Sequence, residues 1–231
     1  MLRILEPELM EYPAQAVAYA DADFEQPHSD FIRRFRESFP SFEVAGEVID
    51  LGCGPGDIAI RFARAYHGCV VHGVDGSAAM LRAGDRLLEQ AGDVRDRVRL
   101  IKGRLPDAVM PVARYRVVIS NSLLHQLHDP LRLWRSVLKF AAPGAAVFVM
   151  DLRRPASLEE AERLTAKYVS GEPEVLQRDF LNSLLAAFEP EEVGVQLAEA
   201  GLSHLEVSPV GDRHLIVAGR MFASDNRLGA G

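Results

Sequence analysis

The stretch VIDLGCGPGD at residues 48–57 joins an apolar run to the start of a helical pattern through three alternating glycines. Gly52, Gly54 and Gly56 permit positive φ angles, and because they have no Cβ atom a ligand can lie directly against their backbone. A tight turn between a strand and a helix needs fewer glycines than this. The stretch therefore predicts a ligand-binding loop at the end of a buried strand.

The glycine spacing also limits the kind of ligand. It is GxGxG, whereas dinucleotide-binding proteins need GxGxxG so that a pyrophosphate meets the N-terminus of the helix. Asp75 ends the next apolar run 19 positions after Gly56 (75 minus 56). A carboxylate there can accept hydrogen bonds from both hydroxyls of an adenosine ribose. The pattern disfavours NAD and favours another adenosine-containing ligand.

Around this loop, short β-rich apolar runs alternate with helical stretches, which is typical of a parallel sheet covered by helices on both faces. A short connection at 210–212 predicts a final hairpin, so that the last strand is antiparallel. We expect an α/β three-layer sandwich with a seven-stranded, mostly parallel sheet. The predicted strands are 47–51, 70–74, 98–102, 116–120, 145–150, 205–209 and 215–219, and the predicted helices are 57–67, 77–90, 130–140 and 190–200.

Two regions of the 231 residues exceed what such a sheet needs. Residues 1–45 contain helical pieces rich in aromatic side chains, and 153–188 is a helical stretch longer than a simple crossover. We expect one core domain at 46–221 that carries the insertion 153–188, an N-terminal helical cover at 1–45 and a frayed tail at 222–231. The two additions are expected to close over one site.

Composition excludes several classes of protein. Lys and Arg number 26 and Asp and Glu 33, so the net charge of −7 argues against a broad basic face for nucleic acid. No apolar run reaches about 18 residues, the minimum for a membrane-spanning helix. The scattered histidines give no support for a metal site. Cys53 and Cys69 form no CxxC pair and the first residues lack a signal-peptide core, so a cytoplasmic protein is expected.

Residues 48–57, with GVDGS at 73–77 and Met80-Leu81, resemble the first two motifs of the class I S-adenosylmethionine-dependent methyltransferases. The resemblance covers roughly 47–220 and implies a Rossmann-like fold, S-adenosyl-L-methionine as cofactor and S-adenosyl-L-homocysteine as product. It also implies that the glycine loop holds the methionine part, Asp75 the ribose and the 76–80 turn the adenine. The cofactor residues implied are Asp50, Gly52, Cys53, Gly54, Gly56, Asp75, Gly76, Ser77, Met80, Gly103, Arg104, Leu105 and Asn121.

The third motif departs from the family pattern. Gly103-Arg104 stands where the family usually has Gly-Asp, whose side chain holds the adenine amino group. Because a guanidinium cannot accept a hydrogen bond, either the backbone N–H of Arg104 contacts the ring or Asp107 reaches in. We favour the backbone contact.

The segment SNSLLHQLHDP at 120–130 resembles the corresponding segment of family members that methylate small molecules, and it differs from the Asn-Pro-Pro-Tyr type that acts on flipped bases. Asn121 is expected at the end of the fourth strand, close to the methionine part of the cofactor. His125 could orient a substrate or relay a proton, and a hydrogen-bonded structural histidine is the alternative.

The substrate is expected to contact the added segments and the start of the last strand. Each candidate also has a structural interpretation. Tyr19 could pack under a covering helix, the polar residues of the insertion could face solvent, and Arg213 and His214 could belong to a charged hairpin tip. His125 and His214 are the candidate catalytic bases for an acceptor of low acidity. The candidate substrate-binding residues are Tyr19, His125, Arg153, Arg178, Asn182, Arg213 and His214.

The leading hypothesis is a methyltransferase that transfers methyl directly and in line to an O, N or S atom of a small molecule. The acidic background suits a small anion more than a polyanion, and nucleic acid and membranes are disfavoured as partners. One alternative is a nucleotide, RNA or protein substrate held by Arg95, Arg97, Arg99 and Arg104. Another is a regulatory protein that binds the cofactor without transferring methyl.

Overall fold

Parallel and antiparallel strands combine into one sheet in the computed structural model, which describes residues 1–8, Tyr19 and 25–223. The strands in these ranges are β1 Gly46–Leu51, β2 Cys69–Asp75, β3 Val98–Lys102, β4 Tyr115–Asn121, β5 Ala141–Leu152, β6 Glu206–Val210 and β7 His214–Arg220. Their order is β3-β2-β1-β4-β5-β7-β6, with β1 to β5 parallel and β7 antiparallel to both neighbours. The predicted seven-stranded α/β fold is confirmed.

Three helices in the described ranges start at residues whose side chains satisfy the first backbone N–H groups. Ser77 and Ser157 each accept a hydrogen bond from a backbone N–H three residues later, and Glu189 and Glu192 form a reciprocal capping box. The helices are α1 Glu25–Ser38, α2 Asp57–Ala65, α3 Ala78–Gln90, α4 Leu131–Phe140, α5 Leu158–Val169, α6 Glu174–Ala186 and α7 Pro190–Glu199. The longest of these has 14 residues, so no described helix could cross a membrane.

Each face of the sheet is covered by its own apolar cluster. On one face α4 and α7 bury residues such as Trp134 and Leu197. On the other, Phe31 and Phe35 of α1 pack with α2, and the ring centroids of Phe31 and Phe148 lie 5.0 Å apart with the rings edge to face. Thus α1 is part of the layer that covers the sheet, whereas the whole of segment 1–45 was expected to be a cover over the site.

Within the inserted segment 153–188, α5 and α6 pack against each other around Ala161, Leu164 and Leu184. The predicted strand at 145–150 is longer than expected, because β5 begins at Ala141 and its register with β4 shifts between Tyr115 and Val117. Positions 9–18, 20–24 and 224–231 lie outside the described residues, so the expected cover and tail can be followed only in part.

The strand order reverses between β1 and β4, and this reversal positions the site. Helices leave β1 and β4 on opposite faces of the sheet, which opens a crevice at the carboxyl ends of the two strands. Because β7 runs antiparallel to β5, it begins at the same edge, where His214 pairs with Leu152. Residues from both halves of the chain therefore meet there.

Candidate active site

A cavity of about 210 Å³ lies at the carboxyl ends of β1, β2 and β4. A single water needs only ~10–15 Å³ by a comparable measure, so the space is suited to a small molecule. Twelve of the thirteen residues that the sequence predicted for a cofactor line it. They are Asp50, Gly52, Cys53, Gly54, Asp75, Gly76, Ser77, Met80, Gly103, Arg104, Leu105 and Asn121.

The glycine loop that borders the cavity needs its glycines for different reasons. Gly52, Gly54 and Gly56 have φ angles of +71°, +54° and +84°, a region that other residues rarely adopt. A Cβ on Gly52 would lie 2.6 Å from Leu123 Cδ1, whereas one on Gly54 would meet nothing within 4 Å. Gly56 does not line the cavity, and a Cβ there would lie 2.8 Å from Leu100 Cδ2. Gly54 is therefore the position where a ligand can lie against the backbone.

Asp50 contributes an unpartnered carboxylate oxygen to the cavity. Its Oδ2 is buried without a hydrogen-bond partner, although a buried carboxylate normally has one. Burial, with a smaller contribution from the charge of Asp75, raises the pKa of Asp50 to about 8. A cationic group in the cavity would satisfy this oxygen and favour its ionised form.

Asp75 connects the glycine loop to the turn that follows β2. Its Oδ2 accepts a hydrogen bond from Gly54 N at 2.9 Å, and its Oδ1 accepts one from Ser77 N at 2.7 Å. Burial raises the pKa of Asp75, and these two backbone donors oppose that shift. Each oxygen has a further lone pair, so the carboxylate can also accept hydrogen bonds from a diol in the cavity.

The loop after β3 borders the cavity with Gly103, Arg104 and Leu105. The side chain of Arg104 is exposed, while Asp107 is exposed and does not line the cavity. This placement agrees with a backbone contact at Arg104. Arg132, which no sequence motif singled out, also lines the cavity and donates to Leu105 O from both Nε and Nη2 at 3.0 and 2.9 Å.

Three further residues line the cavity although the sequence did not single them out: His28, Asp57 and Arg61. His28 Nδ1 lies 2.5 Å and Arg61 Nε 2.6 Å from Asp57 Oδ2. Burial by itself would raise the pKa of Asp57, but these hydrogen bonds outweigh burial and hold that pKa below its ordinary value. The i, i+4 spacing of Asp57 and Arg61 was visible in the sequence, but nothing local connects them with His28 on α1.

His125, the first candidate base, is buried behind the cavity and does not line it. Its Nδ1 donates to Asp151 Oδ1 at 2.5 Å, and its Nε2 lies 3.4 Å from Glu6 Oε1. Burial lowers the pKa of His125, but Asp151 and Glu6 outweigh burial and raise it overall. Ser183 donates to both oxygens of Glu6 at 3.2 Å. These contacts favour a hydrogen-bonded structural role for His125 over a direct contact with a substrate.

Three predicted substrate residues on or near the insertion lie away from the cavity. Arg178 has a 67% exposed side chain and pairs with the adjacent Asp179, and Asn182 is exposed as well. Both lie on the face of α6 opposite to its buried stripe. Arg153 is joined to the last hairpin instead, since its backbone N–H donates to Arg213 O at 2.8 Å and its Nη2 to Asp212 O at 3.4 Å.

Of the remaining candidates, only Tyr19 contacts the cavity. Tyr19 lines the cavity and packs against Ala79 and Met80. Burial, followed by the charges of Asp57, Asp75 and Asp151, raises the pKa of Tyr19 to about 12, so its hydroxyl stays protonated. Arg213 and His214 do not line the cavity, although both lie at the same edge of the sheet.

One of the four arginines considered for binding a polyanion is used inside the fold instead. Arg97 Nη1 donates to the backbone oxygens of Ala63, Tyr66 and Cys69 at 2.7–3.4 Å. Arg95, Arg99 and Arg104 are exposed, and Asp93 and Asp96 lie among them in sequence. This surface carries mixed charge.

Comparisons with known proteins agree with this architecture. Residues 49–147 match a family model described as a methyltransferase domain. The chain is 29% identical over 116 residues to a trans-aconitate 2-methyltransferase of Azoarcus sp., covering 50% of this chain and 42% of the relative. It is 30% identical over 160 residues to the 27-O-demethylrifamycin SV methyltransferase of Amycolatopsis mediterranei, covering 67% and 53%. The chain thus spans about half the length of the curated relatives it matches.

Among solved structures, a SAM-dependent methyltransferase from Aquifex aeolicus has a TM-score of 0.64 and 17% identity, covering 91% of this chain and 98% of that one. At this identity the likeness concerns the fold alone. The chain is thus similar to methyltransferase domains over residues 49–147, and its sheet has the fold of the solved methyltransferase structure.

Proposed function

We propose that this protein binds S-adenosylmethionine in the cavity and transfers its methyl group to a small molecule. The observation that carries the proposal is the unpartnered Oδ2 of Asp50 in a glycine-lined cavity whose other acid, Asp75, is anchored by the loop. The residues present fit the cofactor, because a cationic amino acid moiety needs an anionic acceptor and a ribose needs a carboxylate. When bound, the cofactor supplies a methyl group made electrophilic by its sulfonium.

The protein's own residues would then position and shield that group. Asp75 accepts hydrogen bonds from the ribose hydroxyls while it keeps those from Gly54 and Ser77. Asp50 accepts a hydrogen bond from the ammonium of the methionine part. Gly103 to Leu105 and Met80 border the adenine, and Tyr19 covers the opening with a neutral hydroxyl. Water exclusion around a cationic centre strengthens these contacts.

The acceptor attacks the methyl group in ionised form. Neither His125 nor His214 lines the cavity, so neither is placed to remove a proton there. An acceptor that is already an anion at neutral pH needs no such base, since a carboxylate, an acidic phenol or a thiolate is itself nucleophilic. The relatives named for trans-aconitate and 27-O-demethylrifamycin SV support a small-molecule acceptor.

Calorimetric titration with S-adenosylmethionine and S-adenosylhomocysteine tests the proposal, followed by mass detection of methylated product from a panel of small acids and phenols. We expect saturable 1:1 binding of both ligands and methylation of at least one acceptor. If neither ligand binds, the proposal is wrong. If both bind and an exhaustive panel of small molecules, peptides and RNA gains no methyl group, the regulatory alternative replaces it.

A cytoplasmic location is also proposed. Both cysteines are buried thiols, which suits a reducing compartment. Cell fractionation with an antibody against the native protein tests this location, and recovery in a membrane or secreted fraction would contradict it.

A further inference from the structure

Arg213 is a partly buried cation whose hydrogen-bonding capacity is not used. Its guanidinium carbon lies 3.4 Å from the ring centroid of Tyr168 and 5.9 Å from that of Phe180. Its Nη1 is buried, and no residue in the described ranges accepts a hydrogen bond from it. Burial lowers the pKa of Arg213, against the opposing effects of Tyr168, Asp212 and Asp30. A buried polar group of this kind normally has an acceptor.

The acidic groups near Arg213 already have other partners. Asp212 accepts hydrogen bonds from Lys167 Nζ and Tyr168 Oη, each at 2.7 Å. These bonds, with Lys167 the larger contributor, lower the pKa of Asp212 to about 2. Asp30 is bonded to two arginines of its own helix. The guanidinium therefore has no direct ion pair in the described part of the chain.

Arg213 lies at the same end of the sheet as the cavity, although it does not line the cavity. It immediately precedes His214, which pairs with Leu152 at the carboxyl edge of the sheet. Asn121 lines the cavity and pairs with Met150, which pairs with Ile216, so Arg213 lies two strand spacings across the sheet and three residues along it from Asn121, roughly 14 Å in all. An extended arginine side chain and a molecule of ordinary metabolite size could together span that distance.

We propose that Arg213, stacked on Tyr168, anchors a carboxylate of the methyl acceptor, an inference that rests on the proposed function. The planar edge of a guanidinium matches the two oxygens of a carboxylate, and stacking on an aromatic ring holds that edge in a defined orientation. The anchored carboxylate is remote from the attacked atom. It orients the acceptor so that the reacting atom meets the cofactor.

The charge of the site favours a carboxylate over a phosphate. Burial, and then the charge of Arg213, lowers the pKa of His214 to about 4, so His214 is neutral at pH 7 and adds no positive charge to the site. One guanidinium balances a monoanion, whereas a phosphate dianion would need a second cation. The site is not sealed, because Tyr168 is 38% exposed.

The test is calorimetric titration of the protein loaded with S-adenosylhomocysteine. The probes are benzoate, trans-cinnamate and trans-aconitate, with benzamide and cinnamamide as neutral counterparts and phenyl phosphate as the dianion. We expect at least one carboxylate to bind at least tenfold more tightly than the amides and phenyl phosphate. Carboxylates that bind no better than the amides overturn the proposal, and tighter binding of phenyl phosphate assigns the site to a phosphate instead.

Arg213→Gln removes the charge and should weaken carboxylate binding at least tenfold while the affinity for S-adenosylhomocysteine changes less than twofold. Arg213→Lys keeps the charge without the planar fork and should recover part of that loss. Arg163→Gln, an exposed arginine on α5, is the matched control and should change nothing. Unchanged carboxylate affinity in Arg213→Gln overturns the anchor. If the wild-type protein does not bind S-adenosylhomocysteine, the proposed function itself is wrong.

Discussion

His125 Nδ1 lies 2.5 Å from Asp151 Oδ1, and both side chains are at least 97% buried at the end of the sheet. Asp151 also accepts hydrogen bonds from the backbone N–H groups of Leu124 at 2.7 Å and Leu152 at 2.8 Å. Through Glu6, the same imidazole contacts the first residues of the chain. The pair therefore joins three segments that are distant in sequence.

Replacement of His125 by Gln should destabilise the protein more at pH 6 than at pH 9. The folded pKa is raised above the ordinary 6.5, so the stabilisation is fully present below pH 6.5 and is lost as the pH rises through the folded pKa. Breaking a buried pair costs about 3 kcal/mol where both groups are charged. Urea unfolding at both pH values measures this, with the exposed His67→Gln as control. An equal loss at the two pH values would show that His125 is neutral throughout.

Cofactor binding should release a proton through Asp50. With a pKa of about 8 the carboxyl is largely protonated at pH 7 in the free protein, and a bound cation lowers that pKa. Calorimetry of S-adenosylhomocysteine binding in buffers of different ionisation enthalpy counts the protons. Asp50→Asn should abolish the release, whereas Asp57→Asn, whose carboxyl pKa is already below its ordinary value, should retain it. Proton uptake by the wild type would contradict the assignment.

Replacement of Asp75 by Ala should weaken S-adenosylhomocysteine binding about 100-fold, because two charge-assisted hydrogen bonds to the ribose are lost at roughly 1.5 kcal/mol each or more. Asp107→Ala is the control, since Asp107 is exposed and does not line the cavity. Titration calorimetry compares the two variants. A large loss in Asp107→Ala would transfer the adenine contact from the Arg104 backbone to that side chain.

Two glycine substitutions should separate folding from binding. Gly54→Ala meets no neighbour and should cost only about 1 kcal/mol of stability for its left-handed backbone. It should still weaken S-adenosylhomocysteine binding at least tenfold, because the added methyl group occupies the ligand's place. Gly52→Ala collides with Leu123 and should cost about 2–4 kcal/mol. Unfolding curves and titrations on both variants test this, and tight binding by Gly54→Ala would refute the close approach.

The first residues of the chain should contribute measurably to stability through Arg3. Its guanidinium donates to the backbone oxygens of Ala186, His125 and Leu127 at 2.5–2.9 Å and lies 3.9 Å from the ring centroid of Phe188. Arg3→Ala should cost about 3 kcal/mol, since three carbonyl groups lose a charged donor.

Denaturant unfolding measures the effect of Arg3→Ala, with Arg178→Ala as the comparison. In the described part of the chain Arg178 is exposed and paired with the adjacent Asp179, so its replacement should cost no more than about 0.5 kcal/mol of stability. A larger loss in Arg178→Ala would contradict the exposed position of this side chain.

Much of the glycine-loop side of the cavity could be predicted, because the residues that form it lie close together in the sequence. The glycine loop, Asp75 and Ser77 follow two consecutive strands, and strand ends in a parallel sheet meet at one edge. By contrast, His28 and Arg132 reach the cavity from helices whose placement depends on packing against the whole sheet. For Arg178 and Asn182 the helix itself was predicted, but its buried face was not, because the stripe that includes Leu176 and Leu184 is selected by α5.

The sequence by itself determined the fold class and the glycine-loop side of the cavity, since strand periodicity and glycine spacing act within a few residues. Only the tertiary structure decided the environment of the charged side chains. In the described part of the chain, Asp50 Oδ2 is buried without a partner, His125 lies between Asp151 and Glu6, and Arg213 stacks on Tyr168 while its Nη1 has no acceptor. The reason is that the free energy of a charge depends on the solvent and the partners that distant segments remove or supply.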